Sequence, residues 1–467
     1  MTERPQSAGS QARARTTATP RQVAFDVLRA VTDDDAYANL LLPARLRRAR
    51  LSGADAAFAT ELTYGTLRRR GHYDRVIAHA ANRGIEAIDP VALDVLRLGA
   101  HQLLGMSTPA HAAVGETVEL TRRARAARTT GFVNAVLRTI SRDDDAVWIG
   151  RLLDNVVDVD ERLAITHAHP AWVVRALRAS LDREGRAQEL EALLMADNVP
   201  PTVTLAALPG LAEPAELGEP SLYAPTAVPS GSGDPGAHPL VASGRARVQD
   251  EGSQLAALAL SRCRPITPDE TWLDLCAGPG GKAALLAAEA QLGGARLVAN
   301  ELVPARAGLV RSALQAVDPA VEVRTSDGRT IGETDVAAFD RILLDAPCTG
   351  LGALRRRPEA RWRKTDEDVA PLASLQAELL RGALEALKPG GVLAYVTCSP
   401  HVDETTAVVD ALLTERPDQV APLDARAVLA SITRTPLDLG ALEHGAAQLW
   451  PHRHGTDAMF IQLLTRR

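Results

Sequence analysis

One stretch near the middle of the chain constrains the fold more than any other. It reads T-W-L-D-L-C-A-G-P-G-G-K-A over residues 271–283. The apolar start predicts a buried strand, the glycines predict a turn, and an Ala/Leu-rich helical pattern continues to residue 292. Glycines without Cβ atoms let a backbone approach a ligand closely. A strand, a glycine turn and a helix N-terminus together form a binding edge of the nucleotide type.

The glycine spacing narrows the choice of ligand. It is not the dinucleotide pattern G-x-G-x-x-G, and Lys282 is not followed by the Ser or Thr of a P-loop. Glu301 ends the next apolar run, about 20 residues after Gly281, where an acidic side chain meets a ribose hydroxyl in such folds. We therefore predict a nucleoside-bearing cofactor held by backbone groups and a carboxylate. A purely structural turn is the alternative.

Length and composition limit the class of protein. A chain of 467 residues needs two or three domains. Its 52 basic and 58 acidic residues argue against a uniformly basic nucleic-acid binder. The four cysteines form no C-x-x-C, and neither a secretory segment nor an apolar run of membrane-spanning length is seen. We expect a reduced, cytoplasmic protein with no metal site and no membrane segment.

The first half of the chain is predicted to be mostly helical. Residues 1–19 lack an apolar period and predict a disordered tail, and residues 20–145 follow a helical period. Arginines cluster at 45–50, 68–70 and 122–128. Each cluster is either a solvated helix face or part of a surface that binds RNA phosphates.

Residues 146–245 are predicted to form a connector subdomain. Short helices come first, 200–206 predicts a strand, and 208–245 is a loop dense in Pro, Gly and Ser. From residue 246 strands and helices alternate, which predicts a mostly parallel, doubly wound α/β sheet for 246–467. The predicted strands are 273–276, 296–299, 321–324, 341–344 and 392–397, with a long helix at 366–387 and a closing hairpin at 447–450 and 459–464.

Two predicted strands end in cysteine-containing loops. One strand leads into D-A-P-C, with Asp345 and Cys348, and another into T-C-S, with Cys398. In a doubly wound sheet these ends gather at one edge with the glycine turn. A thiolate is a suitable nucleophile for carbon 6 of a pyrimidine, which makes carbon 5 able to accept a methyl group. Asp345 could hydrogen-bond the base edge. A small buried apolar side chain is the alternative role for a cysteine, and the one we favour for Cys263.

Successive motifs of the second half resemble the Fmu/Sun family of S-adenosylmethionine-dependent RNA (cytosine-5)-methyltransferases, which modify bacterial small-subunit ribosomal RNA. The motifs are V-Q-D-E-G-S-Q at 248–254, 273–282, D-A-P-C at 345–348, R-W-R at 361–363, L-K-P-G-G at 387–391 and T-C-S at 397–399. The first 140 or so residues resemble that family's NusB-like helical RNA-binding domain, through stretches at 36–40, 58–67, 109–114 and 131–138. The resemblance implies an all-α NusB-like domain followed by a class I, Rossmann-like methyltransferase domain.

The resemblance also assigns roles to residues. Cys398 matches the nucleophile, Cys348 the helper for release of the methylated base, and Asp345 lies at both the cofactor and the reaction. The positions that match the cofactor-lining residues are Cys276, Ala277, Gly278, Pro279, Gly280, Gly281, Lys282, Glu301, Asp327 and Asp345. Asp327 would reach the adenine amine, although an Asp-Gly turn explains it equally well. The family's acidic pair after T-C-S is displaced here to Asp403-Glu404, and its D-G-F-F appears as D-A-M-F at 457–460, departures that we expect to affect contacts with substrate.

A run of positive charge follows Cys348. We call residues 355–364 the arginine-rich segment and predict that its side chains grip RNA phosphates beside a flipped-out base. The predicted RNA-binding residues are Arg355, Arg356, Arg357, Arg361, Arg363 and Lys364. Trp362 either stacks on a base or packs in the fold, and packing is favoured. His452 and His454 have no partners at metal-ligand spacing and predict a surface loop.

The resulting hypothesis is a monomeric enzyme that methylates carbon 5 of a cytosine in small-subunit ribosomal RNA with S-adenosylmethionine. One alternative keeps the chemistry but acts on transfer RNA or another structured RNA. A second alternative is a non-catalytic RNA-binding factor of ribosome assembly. Amino-group methylation is disfavoured because it calls for an N/D-P-P-aromatic strand end, and this chain has D-A-P-C.

Overall fold

A computed structural model describes residues 18–106, 108–124, 126–231 and 233–467. The described chain divides into two compact units: the residues up to Leu67 with Tyr73–Trp148, and Arg68–His72 with Ile149–Arg467. The predicted disordered tail lies outside the described residues except for Ala18 and Thr19. The Thr19 hydroxyl accepts a hydrogen bond from the Gln22 N–H at 3.2 Å, so Thr19 caps the first helix and is not part of a tail.

The first unit is helical, as predicted. Its helices are α1 Pro20–Asp33, α2 Ala38–Ala49, α3 Gly53–Arg68, α4 Arg70–Ala81, α5 Pro90–Ala100, α6 Ala110–Arg123 and α7 Thr130–Ile140. Helix α1 shows why they form: Val23, Val27, Leu28 and Val31 recur at helical spacing and are all buried.

Side chains of the three arginine clusters in the helical region differ in exposure, and Arg47, Arg48 and Arg50 of the first cluster are exposed. Arg122 and Arg123 are exposed and pair with Glu119 at 2.9 and 3.3 Å, which is the geometry of a solvated helix face. Arg68 is only 4% exposed, which excludes this side chain from an RNA-binding surface.

The second unit begins with helices and a small sheet. After α8 Asp145–Leu153, which crosses the boundary between the units, come α9 Val159–Thr166, α10 Ala171–Arg183 and α11 Leu190–Ala196. Strands β1 Thr204–Ala207, β2 Ala227–Pro229 and β3 Ala246–Val248 then form an antiparallel sheet in the order β2-β1-β3. Residues 208–245 are therefore more than a loop, because β2 and the short helix α12 Pro239–Ala242 lie within them. Strand pairing supplies backbone hydrogen bonds to a segment with no hydrophobic period.

The main sheet has eight strands in the described part of the chain. They are β4 Thr271–Leu275, β5 Arg296–Asn300, β6 Glu322–Arg324, β7 Phe339–Asp345, β8 Leu387–Thr397, β9 Val420–Leu423, β10 Ala447–Gln448 and β11 Phe460–Arg466. The order is β10-β11-β8-β7-β4-β5-β6, with β9 also paired to β11. Strands β4 to β8 are parallel and β9 to β11 are antiparallel. The predicted parallel sheet and closing hairpin are confirmed.

Helices cover both faces of this sheet, which makes it doubly wound. The helices from residue 251 onward are α13 Glu251–Ser261, α14 Gly281–Leu292, α15 Pro304–Leu314, α16 Ile331–Thr334, α17 Ala360–Arg363, α18 Val369–Ala386, α19 Thr406–Glu415, α20 Ala425–Ile432 and α21 Pro451–His454. One apolar core packs α13 and α14 against the sheet, and another packs α18 and α19. Helix α18 begins later than predicted because Asp366–Asp368 forms a 3-10 turn before it.

Candidate active site at the carboxyl ends of the parallel strands

The glycine turn connects β4 to α14 as the sequence predicts. Gly280 has φ = 104°, a left-handed conformation, and caps α14. A Cβ at Gly278 would lie 2.4 Å from the Glu301 Oε2, and one at Gly280 would lie 2.6 Å from the Ala313 Cβ. Glycine is therefore required at both positions, and the turn is packed tightly against the end of β5 and against α15.

Glu301 follows β5 and holds this turn. Its side chain is buried, and its carboxylate accepts hydrogen bonds from the N–H groups of Gly278 and Val303, both at 3.0 Å. Arg306 lies 3.6 Å from the carboxylate and donates to the Gly278 carbonyl oxygen at 2.6 Å. Glu301, the predicted cofactor-binding acid, therefore also fixes the backbone of the glycine turn.

Lys282 and Asp345 form an ion pair at the ends of β4 and β7. The Lys282 Nζ lies 2.9 Å from the Asp345 Oδ2. Burial disfavours the charge on Lys282, but the nearby Asp345 outweighs this and raises the pKa of the lysine. Asp274, on β4, is fully buried, and burial followed by repulsion from Asp345 raises its pKa well above the ordinary value. Asp274 was not predicted as a site residue, because no sequence motif marks a single polar residue within an apolar strand.

The two cysteines predicted to face each other do so. Cys348 follows β7, Cys398 follows the neighbouring parallel strand β8, and their Sγ atoms are 3.5 Å apart. The hydrogen bond between the two thiols lowers the pKa of Cys398, although burial acts in the opposite direction. The same hydrogen bond, with burial, raises the pKa of Cys348 well above its usual value. The electrostatics therefore favour the thiolate on Cys398 over a thiolate on Cys348.

Behind the two thiols lies a buried carboxylate, Glu404. It accepts hydrogen bonds from the Thr349 N–H at 2.7 Å, from the Ser399 hydroxyl at 2.6 Å and from the Gln376 amide at 3.2 Å. The acidic pair was expected to affect contacts with substrate. For Glu404 this is wrong, because its side chain is 0% exposed and turns inward.

Asp327 lies after β6 and caps a 3-10 turn. Its carboxylate accepts a hydrogen bond from the Arg329 N–H at 3.0 Å and pairs with the Arg329 guanidinium at 2.6 Å. These hydrogen bonds hold the pKa of Asp327 below its ordinary value. Its part in cofactor binding stays a prediction.

The arginine-rich segment differs most from expectation. Arg361 is 0% exposed, and its guanidinium donates to the Ala168 carbonyl oxygen and the Asn198 Oδ1, both at 2.9 Å. Arg355 is buried and donates to the Gly455 carbonyl oxygen at 2.9 Å. The prediction that these two side chains grip phosphates is wrong, because both guanidinium groups are used inside the fold.

Arg356 is also engaged within the protein. It pairs with Asp457 at 3.0 Å and with Asp250, two buried carboxylates from segments far apart in sequence. These ion pairs give Arg356 a role inside the fold, and its assignment to phosphate binding stays a prediction. Arg357 is exposed, while Arg363 and Lys364 are half-buried, so these three stay predicted RNA-binding residues.

The two histidines near the C-terminus do not form a surface loop. They lie in α21, where the His454 Nδ1 accepts a hydrogen bond from the Trp450 N–H at 2.8 Å and the His452 Nε2 lies 2.9 Å from the Glu189 Oε2. Burial lowers the pKa of His454 to about 4. His452 and His454, which flank Arg453 in sequence, are therefore largely covered by other parts of the fold.

No group of three or more His, Cys, Asp or Glu side chains in the described ranges is arranged to hold a metal ion. Among the same residues, no helix combines the length and the apolar character that crossing a membrane requires.

The fold and this edge define a class: a doubly wound, Rossmann-like α/β domain in a chain that begins with a helical domain. Solved structures share the fold. PH0851 superposes with a TM-score of 0.78 at 23% identity, covering 96% of this chain and 98% of that one. A methyltransferase homologue from Pyrococcus horikoshii gives 0.53 at 23% identity, covering 67% of this chain and all of that one.

Sequence relatives give the family. Residues 264–465 match the family "16S rRNA methyltransferase RsmB/F" and residues 18–142 match the NusB family. Ribosomal RNA small subunit methyltransferase B of Pseudomonas putida is 33% identical over 85% of this chain and 89% of its own length. A Mycobacterium tuberculosis protein, whose name calls it a methyltransferase and gives no substrate, is 50% identical over 96% of both chains. This chain belongs to the RsmB/F family of methyltransferases with an N-terminal NusB domain, which confirms the resemblance and the predicted fold class.

Proposed function

We propose that this protein transfers a methyl group from S-adenosylmethionine to carbon 5 of a cytosine in small-subunit ribosomal RNA, through a covalent bond to Cys398. The observation that carries the proposal is the 3.5 Å approach of the Cys348 and Cys398 sulfur atoms beside the glycine turn. The names of the relatives support the RNA substrate, since the Pseudomonas putida protein is a small-subunit ribosomal RNA methyltransferase.

The residues at the glycine turn fit the cofactor. A side chain at Gly278 would collide with Glu301, so the turn presents bare backbone at the start of a 12-residue helix. Asp274 lies fully buried in the preceding strand, with no hydrogen bond from the described residues to either carboxylate oxygen. Residues 276–282, Glu301 and Asp327 would hold the cofactor. When bound, S-adenosylmethionine supplies an activated methyl group.

Cys398 begins the reaction. Its thiolate forms a bond from Sγ to carbon 6 of the cytosine, and the electron pair of the carbon 5–carbon 6 double bond moves so that carbon 5 can take the methyl group. The lowered pKa of Cys398 favours the thiolate before attack. Asp345, held by Lys282 at 2.9 Å, would hydrogen-bond the edge of the base and fix its orientation.

Release reverses the addition. A base removes the proton from carbon 5, the double bond re-forms, and the bond from carbon 6 to the Cys398 Sγ breaks with its electron pair returning to sulfur. Cys348 is the residue we assign to this stage, since its sulfur is in contact with that of Cys398. Arg357, Arg363 and Lys364 are the side chains we assign to RNA phosphates.

The test is methyl transfer to small-subunit RNA from cells that lack this activity, with the methylated carbon identified by mass spectrometry of the digested RNA. Cys398→Ala should lower turnover by at least about 10⁴-fold, the scale of losing a nucleophile. Cys348→Ala should accumulate a covalent protein–RNA adduct, visible as a band of reduced mobility.

The matched control is Cys263→Ala, which changes a half-buried cysteine that donates to the Leu260 carbonyl oxygen, away from this edge. It should methylate at the wild-type rate and give no adduct. Full turnover by Cys398→Ala would refute the assignment of the nucleophile. Methylation at a base nitrogen would refute the reaction, and activity on transfer RNA alone would refute the substrate.

A further inference from the structure

Glu404 is an unusual residue to find behind two thiols. Its side chain is 0% exposed, whereas that of the adjacent Asp403 is exposed. No Lys, Arg or His side chain of the described residues forms a salt bridge with it. A buried carboxylate without a cation is costly unless hydrogen bonds compensate the charge.

Neutral donors supply this compensation. The Thr349 N–H donates at 2.7 Å, its hydroxyl also donates, the Ser399 hydroxyl donates at 2.6 Å and the Gln376 amide donates at 3.2 Å. An ionised carboxylate has about four acceptor sites, so these donors match the charged form of Glu404. Gln376 is placed by a second hydrogen bond to the Pro347 carbonyl oxygen at 2.8 Å.

The donors connect the two reactive loops. Thr349 directly follows Cys348, and Ser399 directly follows Cys398. One carboxylate therefore ties together the residues next to both cysteines. The Tyr395 hydroxyl, on β8, donates to the Glu404 carbonyl oxygen at 2.7 Å and anchors the segment that carries the carboxylate.

The charge of Glu404 also acts on the thiols. A negative group nearby opposes ionisation of a thiol. For Cys348, the hydrogen bond to Cys398 and burial have the largest effects on the pKa, and repulsion from Glu404 and Asp345 raises it further. The carboxylate thus adds to the effects that disfavour a thiolate on Cys348.

We propose that Glu404 is a positioning residue of the methyltransferase: its carboxylate holds the loops of Cys348 and Cys398 in contact and so sets the relative reactivity of the two thiols. The inference rests on the proposed function for its catalytic consequence. Its chemical consequence, a difference in reactivity between the two thiols, can be measured on the protein without RNA.

Thiol labelling tests that chemical consequence without RNA. The full-length protein is treated briefly with iodoacetamide from pH 6 to 9, and the labelled fractions of the Cys348 and Cys398 peptides are compared by mass spectrometry. In the wild type, Cys398 should be labelled well before Cys348 at neutral pH. In Glu404→Gln the ratio of the two rates should fall by roughly tenfold, because the charge is lost and an amide donor faces other donors.

Asp403→Asn is the matched control, since it removes the same charge at the neighbouring exposed position. It should label as the wild type does. A Glu404→Gln protein that keeps its fold and labels like the wild type overturns the proposal. If Glu404→Gln does not fold, Ser399→Ala is the test. This variant keeps the charge of Glu404 and removes one of its hydrogen bonds. It should lower the selectivity of labelling for Cys398 measurably, by less than several-fold. Unchanged labelling in Ser399→Ala would then also overturn the proposal.

Methylation kinetics test the catalytic consequence. Glu404→Gln should lower kcat roughly 10- to 100-fold, the cost of misplacing reacting groups, with KM for RNA within about twofold of wild type. A rise in KM with kcat unchanged would overturn the positioning role. If the wild type methylates no RNA, the proposed function is wrong. The labelling result then still tests whether Glu404 positions the two thiols. If the wild type is active and Glu404→Gln equals it, only the inference about Glu404 fails.

Discussion

Cys348 and the arginine-rich segment are neighbours in sequence, yet different interactions hold the thiol pair and the segment in place. Cys348 and Cys398 are positioned by the ends of two adjacent parallel strands and by neutral hydrogen bonds to one carboxylate. The segment 355–364 is held by guanidinium groups that bind buried carboxylates and carbonyl oxygens from distant parts of the second unit. One carboxylate with uncharged donors organises the first region, whereas ion pairs and buried guanidinium groups organise the second.

The two regions should respond differently to substitution. Changes at Arg355, Arg356 and Arg361 should lower the free energy of unfolding and spare the chemistry of the folded protein. Changes at the edge of the sheet should lower turnover and spare the fold.

Arg356→Ala should cause the largest loss of stability. It leaves Asp250 and Asp457 buried without their shared cation, a change that costs about 3–5 kcal/mol. Urea unfolding followed by circular dichroism measures the loss. Arg434→Ala is the control, because this exposed arginine should contribute less than about 0.5 kcal/mol to stability. Equal stability of the two variants would show that the ion pairs of Arg356 do not stabilise the fold.

Lys282→Met should lower turnover with little effect on the fold. It removes the cation 2.9 Å from Asp345, and we expect kcat/KM to fall on the order of 10²-fold, as for loss of an electrostatic contact in an active site. Lys388→Met is matched to it, since the Lys388 Nζ lies 2.8 Å from Asp340, toward the opposite ends of the strands. The control should methylate normally. Loss of activity in both variants would point to a general effect of lysine removal.

Asp197 should give a smaller, pH-dependent effect. It is buried beside Arg361, and burial raises its pKa to about 6 against an ordinary value near 4. A raised carboxyl pKa means that the folded protein binds more protons than the unfolded chain between these values. Its contribution to stability is therefore full below about pH 4 and is lost as pH rises to about 6.

The measurement compares wild type with Asp197→Asn, in unfolding experiments from pH 4 to 7. The stability of the wild type relative to the variant should decline by about 1–3 kcal/mol across that window and then level off. Asp418→Asn, at an exposed site, should run parallel to the wild type throughout. A constant difference between wild type and Asp197→Asn would show that Asp197 does not titrate in the fold.

The parts of the site that could be predicted share a local cause. Gly278, Lys282, Glu301, Cys348 and Cys398 each follow a strand that the apolar pattern marks, and parallel strands bring their carboxyl ends to one edge. Glu404 was assigned to the wrong environment, because no pattern around it shows that Thr349 and Ser399 will converge on its carboxylate. That convergence joins residues 55 and 5 positions away from it.

The sequence alone determined the alternation of strands and helices, the glycine turn and the edge at which two cysteines meet, because these follow from periodicity and backbone conformation. Only the tertiary structure decided which charges are exposed. Arg361 and Arg357 are the same residue type four positions apart, yet one is buried and the other is exposed. Burial depends on the segments that pack over a side chain, and those segments come from elsewhere in the chain.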